Sequence, residues 1–403
     1  MLTVLNIAAS SSVDLILAAI ALIIILGYIG EAIFRVTRIP EILILMFIGI
    51  LIAHALPTAY TTTLRSLTPI FSSIALIMIM FNSGRIMRFG AGRESGGTGL
   101  VLALFDIFLS CVALAIVMHY AFGWPFVYGA LLGAIVGETS TIIVIPLLKR
   151  IKSSGGLYNS LLMETTFNTV FAILAFYLII PINGTQFSAY TYILYLADYL
   201  SIPVFLGIIT GLAWLVVRSM VKGASSYLAS LAIALLLYGF VDFLQGSAVV
   251  AVLIYSIILG NDVVIGKFIG IKNTVNNKKL KIVEHELEFL LRTFFFVLIG
   301  MIAVLSLEYF LLALAVTAIL ILVRYPEVRL VMRKFSVNQR NLAYSMMQKG
   351  LGVAVLSSLV ISMSIPYSEQ IFAVSFMVIV ISNIVSAPLL RWSTKGMAIS
   401  AAG

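Results

Sequence analysis

The sequence predicts an all-α, polytopic membrane protein of about thirteen transmembrane helices, and three observations carry that expectation. Of its 403 residues, 62% are hydrophobic and only 10% charged, against about 45–50% and about 25% in soluble domains. Apolar runs of about 20 residues, the length that crosses a bilayer, recur from one end of the chain to the other. Basic residues gather after alternate runs, as cytoplasmic loops require.

The spans fall near 13–34, 40–56, 66–83, 97–121, 124–148, 157–181, 188–218, 226–244, 246–260, 284–304, 309–332, 341–362 and 367–390. The seventh is too long for one straight crossing and is expected to break near Pro203. The ninth is short. The first dozen residues lack the basic start of a signal peptide, so insertion is expected to be directed by the first helix. The longest loop, 261–283, holds the Asn- and Lys-rich run NTVNNKKLK and reads as a solvated cytoplasmic linker.

Charge placement fixes the direction of these spans. Arg35 and Arg38 follow the first, Arg85, Arg88 and Arg93 the third, and Lys149, Arg150 and Lys152 the fifth. Arg218 and Lys222 follow the seventh, a lysine cluster from Lys267 to Lys281 the ninth, Arg329 to Arg340 the eleventh, and Arg391 and Lys395 the last. Only Arg65 follows an even-numbered span. The alternation predicts an outside N-terminus and a cytoplasmic C-terminus in the plasma membrane. It also accounts for the net charge of +9 as a cytoplasmic-face property that meets anionic lipid, and no nucleic-acid partner is implied. The single cysteine, Cys111, excludes an intrachain disulfide and a cysteine-based metal cluster. His54, His119 and His285 are scattered, no Ser/His/Asp or metal-ligand spacing occurs, and no phosphate-binding loop is present. The chain is therefore read as a non-enzyme without a cofactor or tightly bound metal.

Ionisable residues deep in a bilayer are costly and mark cavities, ion pairs or ion paths. At about 1.5 Å per residue, Asp106, Glu138, Glu164, Arg292, Arg324 and Lys349 lie roughly 10–22 Å into their spans, in the middle zone of a roughly 30 Å core. Both signs are present, so pairing offsets part of the burial penalty. Three segments stand out. Gly133 to Thr141, with Pro146 downstream, combines glycines, Glu138 and hydroxyls that weaken a regular helix; a break there would expose helix ends to an ion. The other reading of that segment is a glycine packing face with hydroxyls bonded to their own helix. In the sixth span, Glu164 and Asn168 are four residues apart and share a face, with Thr165 and Thr169 beside them; this stripe lines a cavity or serves a structural network. In the twelfth, Gln348, Lys349, Gly350 and Gly352 again interrupt an apolar run. If spans 1–6 and 8–13 are two halves around span 7, the interrupted segments are equivalent and the halves are inverted, an arrangement typical of secondary transporters.

At these residues the chain resembles the monovalent cation:proton antiporter superfamily, above all its sodium/proton antiporters of the NhaP and NHE type. Arg38-Ile39-Pro40-Glu41-Ile42 is similar to the family's first cytoplasmic turn, and Phe81-Asn82-Ser83-Gly84 to its third-span ending. Thr139 and Ser140 match the Thr-Asp or Thr-Ser pair of its first discontinuous helix. Glu164 and Asn168 match its Glu-x-x-x-Asn-Asp motif, and Arg292 to Gly300 resembles its next aromatic signature. Arg324 matches an arginine that pairs with the motif's glutamate, and Gln348-Lys349-Gly350 matches the second discontinuous helix. The resemblance implies two inverted repeats with two crossing discontinuous helices, exchange of Na⁺ or K⁺ for H⁺ by alternating access, and a homodimer. It implies scaffold helices in 1–96 and 182–308, core transport helices in 97–181 and 309–390, and a tail in 391–403. It further implies ion-binding roles for Thr139, Ser140, Asn168 and Thr169, a Glu164–Arg324 ion pair, and accessory charges at Lys349 and Arg292.

One departure bears on mechanism. The family's motif ends in an aspartate that alternately carries proton and cation, and this chain has Thr169 there. Threonine does not titrate. Glu138 is the leading substitute proton carrier and Asp106 the second, since a carboxyl removed from water holds its proton more tightly. Uncoupled cation uniport or leak, a transport-inactive regulatory homologue, and an inactivated variant are the alternatives that Thr169 leaves open.

Overall fold

The computed structural model describes residues 20–33, 40–55, 58–87, 93–150, 155–182, 188–218, 225–270 and 277–393. Among them the chain is helical, without strands. The helices are α1 (Ile20–Ile33), α2 (Glu41–Ala55), α3 (Thr58–Ile86), α4 (Arg93–Phe122), α5 (Phe126–Gly137), α6 (Thr141–Arg150), α7 (Gly155–Ile179) and α8 (Ala189–Arg218). They continue with α9 (Ser225–Phe243), α10 (Ala248–Gly260), α11 (Asp262–Phe268), α12 (Asn277–Ile302), α13 (Leu307–Val331), α14 (Val337–Ser345), α15 (Leu351–Ser362) and α16 (Ser368–Ser393). Residues 34–39, 88–92, 151–154, 219–224 and 271–276, with many of the expected basic loop positions, lie outside the described residues.

Among the described residues, six stretches are long and apolar enough to cross a membrane: Ser66–Ile86, Gly96–Phe122, Gly156–Ile179, Tyr190–Arg218, Leu307–Val331 and Ser368–Leu390. The pair α10–α11, bent by 78° at Asn261, is a broken span, which would make a seventh, or a re-entrant loop. Other expected spans are shorter apolar helices or broken pairs, so the helices confirm a polytopic protein but not a count of thirteen crossings. Phe108, Tyr120, Phe205, Leu236 and Phe243 point outward. A surface this apolar suits lipid rather than water.

Two expectations are corrected. The seventh span does not break at Pro203: α8 runs unbroken from Ala189 to Arg218 with Pro203 inside it. A proline leaves the carbonyl four residues earlier without its donor. Here the freed Tyr199 carbonyl accepts a hydrogen bond from the Ser247 N–H at 3.0 Å, and Gly246 lies against the proline ring. The neighbouring chain thus replaces the missing bond. Among the described residues, the 261–283 segment is also partly helix rather than linker, since Asp262–Phe268 is helical and α12 begins at Asn277. Its Lys and Leu residues are good helix formers.

The chain divides into two compact units. The first comprises Met1–Phe71 with His285–Ala303. In it α2 and α12 cross so closely that a methyl added at Gly49 would strike the Val297 carbonyl, and one at Gly300 the Met46 carbonyl. Arg292 forms an ion pair with Glu41.

The second unit comprises Ser72–Glu284 with Val304–Gly403. In it α4 packs along both α5 and α7. Gly129, Gly133 and Gly137 form a stripe every fourth residue on α5. A methyl at Gly133 would come within 2.5 Å of the Cys111 Cα, so the stripe lets the two backbones touch. Helix starts are set by caps: Ser306 accepts a hydrogen bond from the Tyr309 N–H to open α13, and Ser336 and Gln339 form a reciprocal capping box at α14.

Candidate functional site

Two segments expected to be interrupted are interrupted, and their breaks meet. The first opens between Gly137 and Thr141, where Glu138 adopts extended backbone angles, φ −57° and ψ 132°. The second opens between Ser345 and Leu351. The Ser140 N–H donates to the Gln348 carbonyl at 2.8 Å, joining the two breaks directly.

Breaking a helix leaves free carbonyls at one end and free N–H groups at the other, with partial charges that favour cations and anions respectively. Charged side chains answer three of these ends. At the end of α5 the Lys349 ammonium donates to the Gly137 carbonyl at 3.0 Å and to the Thr139 hydroxyl at 3.4 Å. At the end of α14 the Arg324 guanidinium donates to the Ala343 and Met346 carbonyls at 3.1 and 3.5 Å. At the start of α15 the Glu138 carboxylate faces the Val353 N–H. The missing side chain of Gly352 makes room for it: a methyl there would lie 2.6 Å from the Glu138 Cδ.

α7 supplies the wall of the crossing. The Thr169 hydroxyl donates to Glu138 Oε1 at 2.9 Å. Asn168 accepts from the Thr139 N–H at 2.6 Å and donates to Asp106 Oδ2 at 2.8 Å. One side chain thereby ties the first break to α4. Thr165, read as part of a polar stripe, instead donates to the Leu162 carbonyl of its own helix, as does Thr166.

Beside the crossing, Arg324 sits among three carboxylates. It forms an ion pair with Glu164, lies 3.3 Å from Glu327 Oε1, and lies 3.8 Å from Asp106 Oδ2. Asp106, Glu138, Glu164, Arg324, Glu327 and Lys349 are all buried. Glu138 Oε2 and Glu327 Oε2 have no hydrogen-bond partner among the described residues.

The structure therefore brings together Asp106, Glu138, Thr139, Ser140, Glu164, Asn168, Thr169, Arg324 and Lys349. Arg292 is not among them; it belongs to the first unit and pairs with Glu41. Two members of the site escape sequence reasoning. Counting along the axis puts Glu327 near the end of its span, although its i+3 spacing from Arg324 places the two on one face. Asn383 of α16 donates to the Lys349 carbonyl at 2.8 Å and holds the second break; a lone asparagine in an apolar helix is its only signal. Chemically, the crossing offers one carboxylate with an unpartnered oxygen, hydroxyls of Thr139, Ser140 and Thr169, and a charged wall.

Comparison with known proteins places this geometry among relatives. A family model described as "Sodium/hydrogen exchanger, transmembrane" matches residues 19–395. K(+)/H(+) antiporters named NhaP2, from Shewanella sp. (strain MR-4) and Shewanella oneidensis, are 27% and 26% identical over 229 and 231 residues. Each match covers 55% of this chain and 40% of the relative, so less than half of those proteins' length is represented. In fold, the chain resembles the sodium proton antiporter MjNhaP1 from Methanocaldococcus jannaschii at pH 8, with a TM-score of 0.80, 20% identity, and coverage of 96% of this chain and 99% of that one. A second structure of MjNhaP1 gives a TM-score of 0.77 at 21% identity.

Proposed function

The chain belongs to the transmembrane sodium/hydrogen exchanger family, a family of transporters rather than enzymes, and from that premise we propose that it exchanges a monovalent cation, Na⁺ or K⁺, for protons. The observation that carries the reading is the Thr169–Glu138 hydrogen bond at the crossing of the two broken helices. It puts a carboxylate beside Thr169, the position that the resemblance sets against the motif's ion-carrying aspartate.

In this reading Glu138 is the exchanging group. Protonated, it is neutral and the site is closed to cations. When a cation arrives, the carboxyl O–H bond breaks, the proton leaves to water, and the carboxylate holds the ion. Hydroxyls of Thr139, Ser140 and Thr169 replace part of its hydration shell. Asn168 positions the first break through Thr139, and Asp106 positions Asn168. Lys349 and Arg324 neutralise helix ends that would otherwise attract the cation away from Glu138. Glu138 cannot hold both ligands at once, so passage of one in each direction is coupled. Movement of the crossing between the two membrane faces supplies alternating access. The alternation of Lys and Arg along the sequence supports an outside N-terminus, a cytoplasmic C-terminus and a plasma-membrane location.

The test is flux in reconstituted vesicles. With a pH gradient imposed, Na⁺ or K⁺ added outside collapses it in the wild type, and Glu138→Gln abolishes the response. Undiminished coupled exchange by that variant removes Glu138 from the role. Cation flux indifferent to the proton gradient selects uncoupled passage instead.

A further inference from the structure

The charges at this site do not balance, and the imbalance singles out one residue. Asp106, Glu138, Glu164 and Glu327 are four buried carboxylates; Arg324 and Lys349 are the two buried bases among them. With every group ionised the cluster would carry two surplus negative charges in a membrane interior. Charges buried there without compensation carry a penalty of several kcal/mol each, and a carboxyl relieves it by taking a proton. One surplus charge belongs to Glu138, where the proposed exchange neutralises it with either a proton or a cation. The second needs an occupant that the exchange does not supply.

Geometry decides which carboxylate that is. Arg324 is the shared base, and its three acidic neighbours are served unequally. Neither Glu164 oxygen has a hydrogen-bond partner among the described residues, but Glu164 has the shortest of the three ion pairs with Arg324. Asp106 lies farther from Arg324, at 3.8 Å, but accepts the Asn168 amide at 2.8 Å. Glu327 has a single 3.3 Å contact with Arg324 and an Oε2 without a partner among the described residues, and its side chain is fully buried. It comes from the same helix as Arg324 and is faced by Asp106 of α4, Glu164 of α7, and Lys349 of the second break. Of these, Asp106 and Glu164 repel its ionised form, and Arg324 is already engaged by both of them and by two carbonyls.

We propose that Glu327 is a second proton-binding site, which keeps its proton through the transport cycle while Glu138 exchanges. The assignment rests on the exchange reading only for the role of Glu138; the burial and contacts of Glu327 stand without it. A resident proton there leaves Arg324 and Lys349 to balance Glu164 and Asp106. Glu138 is then the one carboxyl whose charge changes, and the cluster is neutral whether it holds the proton or the ion.

Infrared spectroscopy of the purified protein in lipid separates the two carboxyls at neutral pH, with Na⁺ and K⁺ added in turn. The wild type should show two protonated-carboxyl bands, one lost on cation addition and one that persists. Glu327→Gln, which mimics a protonated carboxyl in shape, should lose the persistent band and keep the cation-sensitive one; Glu138→Gln should do the reverse. A persistent band that survives in Glu327→Gln overturns the proposal. So does a Glu327→Gln protein that fails to fold while Glu327→Asp folds, because that requires an ionised group. If no band responds to cations, the exchange reading at Glu138 falls, and the persistent band still decides Glu327 by itself.

Discussion

At the scale of single residues, the role of Thr169 is intelligible once its neighbour is seen. The Thr169 hydroxyl has one proton and two acceptors within reach, Glu138 Oε1 at 2.9 Å and the Thr165 carbonyl of its own helix at 3.0 Å, so it orients a carboxylate rather than being one. Placing an acid at this position should therefore harm the protein. In Thr169→Asp two carboxylates would sit within hydrogen-bond reach of each other and share a proton. The variant is expected to lose at least tenfold in exchange rate at neutral pH, roughly 1.4 kcal/mol or more in barrier; a gain measured in the same vesicles would mean that the natural site is crippled. Arg324 invites a different prediction, about stability. Removing one partner of a buried ion pair strands the other and costs about 3–5 kcal/mol. Arg324→Met should lower the unfolding temperature in detergent sharply, and Glu164→Gln in the same chain should restore part of the loss. Equal stability of Arg324→Met and wild type would mean that the carboxylates around it are already neutral.

At the scale of elements, the two breaks exist because particular residues cannot complete a helix and because charged partners accept the ends they leave. Gly352 tests this, since its hydrogen is all that separates the start of α15 from the Glu138 carboxyl. Gly352→Ala is expected to destabilise by about 1–3 kcal/mol through overpacking and to reduce exchange by displacing Glu138; normal exchange with a normal unfolding temperature would show that the contact is slack. The same elements show what the sequence could reveal. The breaks at Glu138 and at Lys349 were legible because glycines, hydroxyls and a charge set together in an apolar run weaken the helix that carries them. The continuity of α8 through Pro203 was not, because the donor that repairs it, the Ser247 N–H, is remote in sequence. Glu327 was hidden for a related reason. Depth along a helix axis follows from counting residues, whereas lateral burial depends on which helices pack alongside. Arg292, expected among the deep charges, is buried and its partner is Glu41, a choice no periodicity reveals.

At the scale of the whole molecule, what distinguishes an exchanger from a leak is competition between two cations for one group, and that has a signature in pH. If Glu138 must release a proton for each ion it binds, lowering the pH below the range in which it ionises fills the site with protons. Each further unit of acidity should then raise the cation concentration for half-maximal exchange by about tenfold, as one-proton linkage requires, while the rate at saturating cation changes far less. In the opposite direction, once Glu138 is fully ionised, half-saturation should become independent of pH, and exchange should slow because protons are scarce as the returning substrate. The measurement is gradient dissipation in vesicles, with Na⁺ and K⁺ titrated separately at several pH values. Two ions giving parallel lines differ only in intrinsic affinity, which would assign selectivity to the hydroxyls and backbone around the carboxylate. A half-saturation constant that is flat across the whole acidic range would mean that the ion displaces no proton. Coupling would then have no physical basis in this site, however closely its two broken helices cross.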